Sequence, residues 1–144
     1  MNIKKFIEDM LYGDAETEEI VEVLKNTEDA RLLHITAINY NYDDGAEIPQ
    51  AIVENQHCEL ATALTVFYDC GGYDYLTDGE VDDEFDFIVD LKQKILNGNF
   101  IKGNIKFTPE LTKVQIFKLK KYLLSEEELI LIEETGTEEV NERY

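Results

Sequence analysis

Apolar residues at Ile3, Phe6, Ile7, Met10 and Leu11 recur at i, i+3, i+4, i+7 and i+8, the spacing of one helical face. Gly13 is expected to end this helix and Asp14 to cap the next, whose Ile20, Val23 and Leu24 share a side. Thr27 is the expected N-cap of a third helix, with Ala30, Leu33, His34, Ala37 and Ile38 on one face. That helix runs into Tyr40-Asn41-Tyr42-Asp43-Asp44-Gly45, where short polar side chains bond the local backbone and Gly accepts a positive φ, so a turn is expected. Pro49 falls in the first turn of a short helix ending near Glu54 and Asn55, where its missing N–H has no partner to lose.

Leu60, Ala63, Leu64, Phe67 and Tyr68 mark a helix over about 59–69, stopped by Gly71 and Gly72. Val81, Phe85, Ile88, Val89, Ile95 and Leu96 mark another with one acidic face, closed by Asn97-Gly98-Asn99. Residues 100–107 read as a short extended segment. Thr108-Pro109-Glu110 then carries the signals of a helix start, and Ser125 with Glu128 those of a capping box. Residues 136–144 read as a flexible acidic tail. The pattern predicts an all-α fold of about six to eight short helices packed as antiparallel pairs within one domain, 1–144. Residues 30–40 and 59–69 both end in aromatic, Asp and Gly residues, which adds a solenoid-like stacking of helical hairpins as an alternative.

Charge changes the picture most. Thirteen Lys and Arg stand against 32 Asp and Glu, a formal charge of −19. Such a field repels phosphate backbones and anionic lipid, so neither nucleic acid nor membrane is expected as a partner. A basic protein remains. The charges are also segregated: residues 92–121 hold eight lysines and one acid, whereas residues 73–90 hold eight acids and no base. Pairing of the two within the domain is the simplest account.

No apolar run reaches the roughly 18 residues of a membrane span, and no apolar stretch follows Lys4 and Lys5 as in a signal peptide. Cys58 and Cys70 would lie about 18 Å apart along a helix, too far for a disulfide, so reduced thiols and a cytoplasmic setting are expected.

The stretch 33–72 resembles a bacterial family known as domain of unknown function 4274. The likeness rests on Leu33-His34, Ala37, Asn39-Tyr40-Asn41-Tyr42-Asp43-Asp44-Gly45, Ile48-Pro49, Ala51-Ile52 and Cys58-Glu59-Leu60-Ala61-Thr62-Ala63-Leu64, with Phe67 and Gly71. The family pattern has Trp at the place of Tyr42, and Asp and Gly at those of Glu59 and Ala61. The resemblance implies a small bacterial helical domain with no assigned activity, and its likeness to small acidic proteins found near secreted-toxin genes suggests toxin neutralisation.

Chemistry is sparse. Asp43 and Asp44 are candidate oxygen ligands for a hard cation, against the simpler reading of turn carboxylates that cap the next helix. Tyr40, Asn41 and Tyr42 are candidate binding residues, since tyrosine is enriched in binding hot spots. His34, Gly45 and Pro49 are assigned structural roles, with His34 expected to bond the 39–44 turn. Asp78, Glu80, Asp82, Asp83 and Asp86 are candidate contacts for a cationic partner. A calcium loop centred on Gly79 fails, because Leu76 and Phe85 fall where oxygen ligands are needed. No motif for phosphate binding, hydrolysis or zinc is present, and no cofactor is expected. The first reading is an acidic protein-interaction module, specifically an immunity-type inhibitor of a basic toxin or nuclease. The alternatives are a metal-dependent hydrolase using Asp43, Asp44 and His34, and a self-associating scaffold or regulatory protein.

Overall fold

A computed structural model describes residues 2–144. Helix α1 (Ile3–Phe6) is capped by the Asn2 side chain and widens into a π-helical stretch, Ile7–Asp14, broken at Gly13. Ala15 is extended, so α2 (Thr17–Asn26) starts later than expected, and Glu16 rather than Asp14 caps it in a reciprocal box with Glu19. Asp29, not Thr27, caps α3 (Ala30–Asn39), because its carboxylate accepts from both Arg31 N and Leu32 N. The Thr27 hydroxyl holds Asp29 N instead, at 3.1 Å.

A 3-10 turn, Tyr42–Asp44, leads to α4 (Glu47–Glu54) and then to α5 (Leu60–Asp69). Helix α5 is the centre of the core: Leu60, Ala61, Thr62, Ala63, Leu64, Val66 and Phe67 are all buried. It packs on α3, α4, α6 (Gly72–Asp78) and α7 (Phe87–Leu96), while α2 packs on α4. Burying a large apolar side chain contributes about 1.5–3 kcal/mol, so this helix, with seven side chains buried, carries much of the stability. Asn55 finishes α2 from across the core, its amide donating to Leu24 O at 2.7 Å and Thr27 O at 2.9 Å.

The glycine pair does end α5, but Gly72 also opens α6, a helix absent from the sequence expectation. A Cβ on Gly72 would meet the Phe67 ring at 2.4 Å, so the glycine is there for close packing. The acidic residues expected on a helical face precede α7 instead. Apart from Asp90, which lies in α7, they sit in a loop and a 3-10 turn, Asp83–Phe85, capped by Asp82.

The extended segment expected over residues 100–107 is broken at Gly103, which takes φ +60, and is held by isolated bridges: Glu59 with Ile101, Ile105 with Glu138, and Phe107 with Thr135. The Glu59 carboxylate accepts from Ile105 N at 3.0 Å, a second tie between α5 and this segment. Residues 108–111 are not helical. Helix α8 (Lys113–Lys118) starts at Thr112, which shares a reciprocal box with Gln115. The pairing of Phe107 with Thr135 holds the chain extended up to the Thr108-Pro109 signal, and the later box wins. A π-helical turn, Leu119–Leu123, and a 3-10 helix, Glu126–Ile132, follow, the latter with the expected Ser125–Glu128 box.

Residues 136–144, expected as a free tail, are packed. Val140 is buried, Lys106 N donates to Glu138 O at 2.8 Å, and Arg31 pairs with Glu138 and Glu142 at 2.9 and 2.8 Å. Gly136 turns the chain at φ +73, where a Cβ would fall 2.0 Å from Ile105 O. Among the described residues, no helix is long and apolar enough to cross a membrane.

Candidate functional site

The turn after α3 is built by its own side chains. Asn41 accepts from Asp43 N at 3.1 Å, and Gly45 takes φ +113, a region that disfavours side chains. The Tyr40 hydroxyl donates to Gly45 O and the Tyr42 hydroxyl to Ala37 O, both at 2.8 Å, with the rings edge to face at 5.1 Å. The tyrosines therefore lock the turn against α3. Asp43 and Asp44 stay exposed and do not cap α4, whose N-cap, Ala46, has no side-chain bond. Pro49 is buried in the first turn of α4.

His34 does not bond this turn. Position 34 on α3 faces α5, and His34 Nδ1 lies 2.8 Å from Thr62 Oγ1, buried on both sides. Burial, first of all, drives the imidazole pKa down to about 4, so His34 is neutral at pH 7. Asn39, at the end of α3, is buried and uses all four of its side-chain hydrogen-bonding positions, none of them on the turn. Its amide nitrogen donates to Ile35 O and Glu142 O, and its oxygen accepts from the Tyr12 hydroxyl and Tyr144 N.

Behind the turn lies a cavity of about 550 Å³. Helix α3 supplies His34 and Ile38, α5 supplies Thr65, Tyr68 and Asp69, and the far wall is residues 106–111 and 139–143. Tyr68 stacks on Phe107 at 6.1 Å and donates to Leu131 O. Asp69 keeps part of its surface in solvent, yet desolvation, reinforced by the charge of Glu110 and opposed by Arg143, pushes its carboxyl up to about 6. The Arg143 guanidinium donates to Ile38 O. Asp43 and Asp44 are not part of this wall. Among the described residues, no three His, Cys, Asp or Glu side chains are grouped to hold a metal ion. The geometry thus separates the three residues of the hydrolase alternative.

It brings together two other groups. Glu84 Oε1 lies 3.4 Å from the position of a Cβ on Gly45, and Glu47 Oε2 lies 2.8 Å from it. Burial first, and then the charges of Asp44, Glu47 and Glu84, hold the Tyr40 hydroxyl above its usual pKa. The turn and the segment 82–86 therefore form one acidic surface. Asp43, Asp44, Glu47, Asp82, Asp83, Glu84 and Asp86 are all exposed, and none of them forms an ion pair among the described residues. Asp78 and Glu80, also exposed, precede this surface in sequence.

Sequence reasoning missed Asp69, Tyr68 and Arg143. The spacing of Thr65, Tyr68 and Asp69 at i, i+3 and i+4 was the available signal for one helical face.

Residues 28–96 match the family described as Domain of unknown function (DUF4274), a little under half of the chain. The match extends the resemblance beyond the turn to α6 and α7, and so takes in both parts of the acidic surface. No curated protein and no solved structure matches the chain.

Proposed function

We propose that this chain is an acidic protein-interaction module that binds a cationic protein partner. In its most specific form the reading is an immunity-type inhibitor of a basic toxin or nuclease, acting in the bacterial cytoplasm. The observation that supports it is the convergence at Gly45 of two acidic segments, from residues 43–47 and 82–86, with every carboxylate exposed and, among the described residues, without an ion pair. Carboxylates in that arrangement raise the encounter rate with a positively charged surface, by about 10-fold or more at low salt. They offer no comparable attraction to nucleic acid or anionic lipid. Cys58 and Cys70, buried and unpaired, fit a reducing compartment.

The test is the association rate with a basic partner captured by the tagged protein and identified by mass spectrometry. The rate constant is expected to fall steeply between about 50 and 200 mM salt. Asp82→Asn, Asp83→Asn and Asp86→Asn together should slow it by about tenfold, with a smaller change in dissociation. An association rate indifferent to both salt and these substitutions would overturn the reading.

A further inference from the structure

Of the lysines expected to neutralise the acidic stretch, Lys94 alone does so among the described residues, through Asp90. Lys92, Lys94 and Lys106 pair with Glu128, Asp90 and Glu139, but Lys113, Lys118, Lys120 and Lys121 have no ion pair among the described residues. All four lie exposed on α8 and the π-helical turn after it, a stretch with no acid between Leu111 and Ser125. The same stretch exposes large apolar side chains: Val114 at 76%, Phe117 at 56%, Tyr122 at 68% and Leu123 at 39%. Lys121 Nζ sits 5.3 Å from the Phe117 ring centre and 5.4 Å from that of Tyr122, and the rings meet edge to face at 6.3 Å. Leu119, fully buried, anchors the stretch to the body of the protein. The result is an exposed apolar face framed by positive charge, with Phe117 and Tyr122 in contact at its centre, and a face of this kind marks an interaction surface.

We infer that this face docks on the acidic surface of a second copy of the chain. The complement is on the same molecule. Asp83 and Asp86 are exposed at the start of α7, and Val89, 42% exposed, follows one turn on. Each copy thus carries a basic apolar face and an acidic face with its own apolar contact. The overall −19 does not forbid the contact, because at about 0.15 M salt charges farther than roughly 8 Å apart are screened while those across the interface are not. The two faces are different patches, so the contact is head to tail and leaves one of each unsatisfied in a dimer. The inference goes beyond binding of a foreign partner and stands independently of it, since it concerns the purified chain alone.

Sedimentation equilibrium of the purified protein at about 0.15 M salt tests it. The wild type is expected to self-associate reversibly. A variant with Lys118→Glu, Lys120→Glu and Lys121→Glu should be monomeric, and so should one with Asp83→Lys and Asp86→Lys. Among the described residues these side chains make no hydrogen bond or ion pair, and circular dichroism checks that both variants keep their helices. Mixed, the two variants should associate with each other, because the reversed faces are again complementary. Phe117→Ser should weaken wild-type association at least tenfold. A wild type that stays monomeric, association that survives either reversal, or failure of the mixture to associate each overturns the inference. Binding of a monomeric wild type to phosphatidylserine vesicles would assign the face to lipid and overturn it too.

Discussion

His34 and Asp69 line one cavity and titrate in opposite directions. An unfolded chain protonates His34 near 6.5 and Asp69 near 3.8, whereas the folded protein protonates them near 4 and 6. Between pH 4 and 6 the unfolded chain holds its proton on His34 and the folded protein holds its proton on Asp69, so the two sites nearly cancel in the pH dependence of stability. Asp69→Asn removes the balance. Relative to wild type, its stability is expected to fall as pH drops from 6 toward 3.8, with a slope below about 1.4 kcal/mol per pH unit because Asp69 is partly solvated. His34→Gln leaves the other side, and its relative stability should fall as pH rises from 4 toward 6.5, with a slope of at most about 1.4 kcal/mol per pH unit. Urea titrations at several pH values read both slopes. Parallel curves for the two variants would show that neither site is coupled to folding. None of this was legible in the sequence: His34 was visible as a core residue on an apolar face, but Asp69 and Arg143 reach its cavity only through contacts that span the chain.

At the scale of elements, one ion pair stands apart. Lys92 reaches Glu128 at 2.6 Å with both side chains largely covered, and Lys92 also lies over the Tyr75 ring at 5.6 Å. It ties α7 to α6 and to the 3-10 helix 126–132 together, and it holds the Glu128 carboxyl below its usual pKa. Lys92→Ala is expected to lower stability by about 1–2 kcal/mol, whereas Lys94→Ala, whose pair with Asp90 is exposed, should change it by less than about 0.5 kcal/mol. Equal effects in thermal melts would place Lys92 among ordinary surface ion pairs. Caps were legible where a reciprocal box sits beside an unambiguous apolar run, as at Ser125 and Glu128. They misled where long-range pairing decided: Thr108 and Pro109 follow a segment held extended by Thr135, and only Thr112 is free to start α8. Gly72 misled for a related reason, since its helix is favoured by contact with Phe67 and not by propensity.

For the whole molecule, residues 136–144 join α3 to the segment 104–107 and close the cavity. Removing residues 137–144 is expected to lower stability by at least about 2 kcal/mol, from the lost burial of Val140 and the hydrogen bonds left open at Asn39. Unchanged melting of the shortened chain would mean the segment is an ornament. The all-α architecture was legible because helical periodicity repeats in nearly every segment. The role of 136–144 was not, because an acidic, turn-rich composition reads the same whether it frays or packs against Arg31.

The four bonds of Asn39 have a consequence for how the molecule opens. Tyr12, Ile35, Glu142 and Tyr144 all meet on this one amide, so the segments that carry them cannot loosen separately without leaving it unsatisfied. In hydrogen exchange, the amides around Tyr12 and those of residues 142–144 then behave as one cooperative unit, released together by a single local opening.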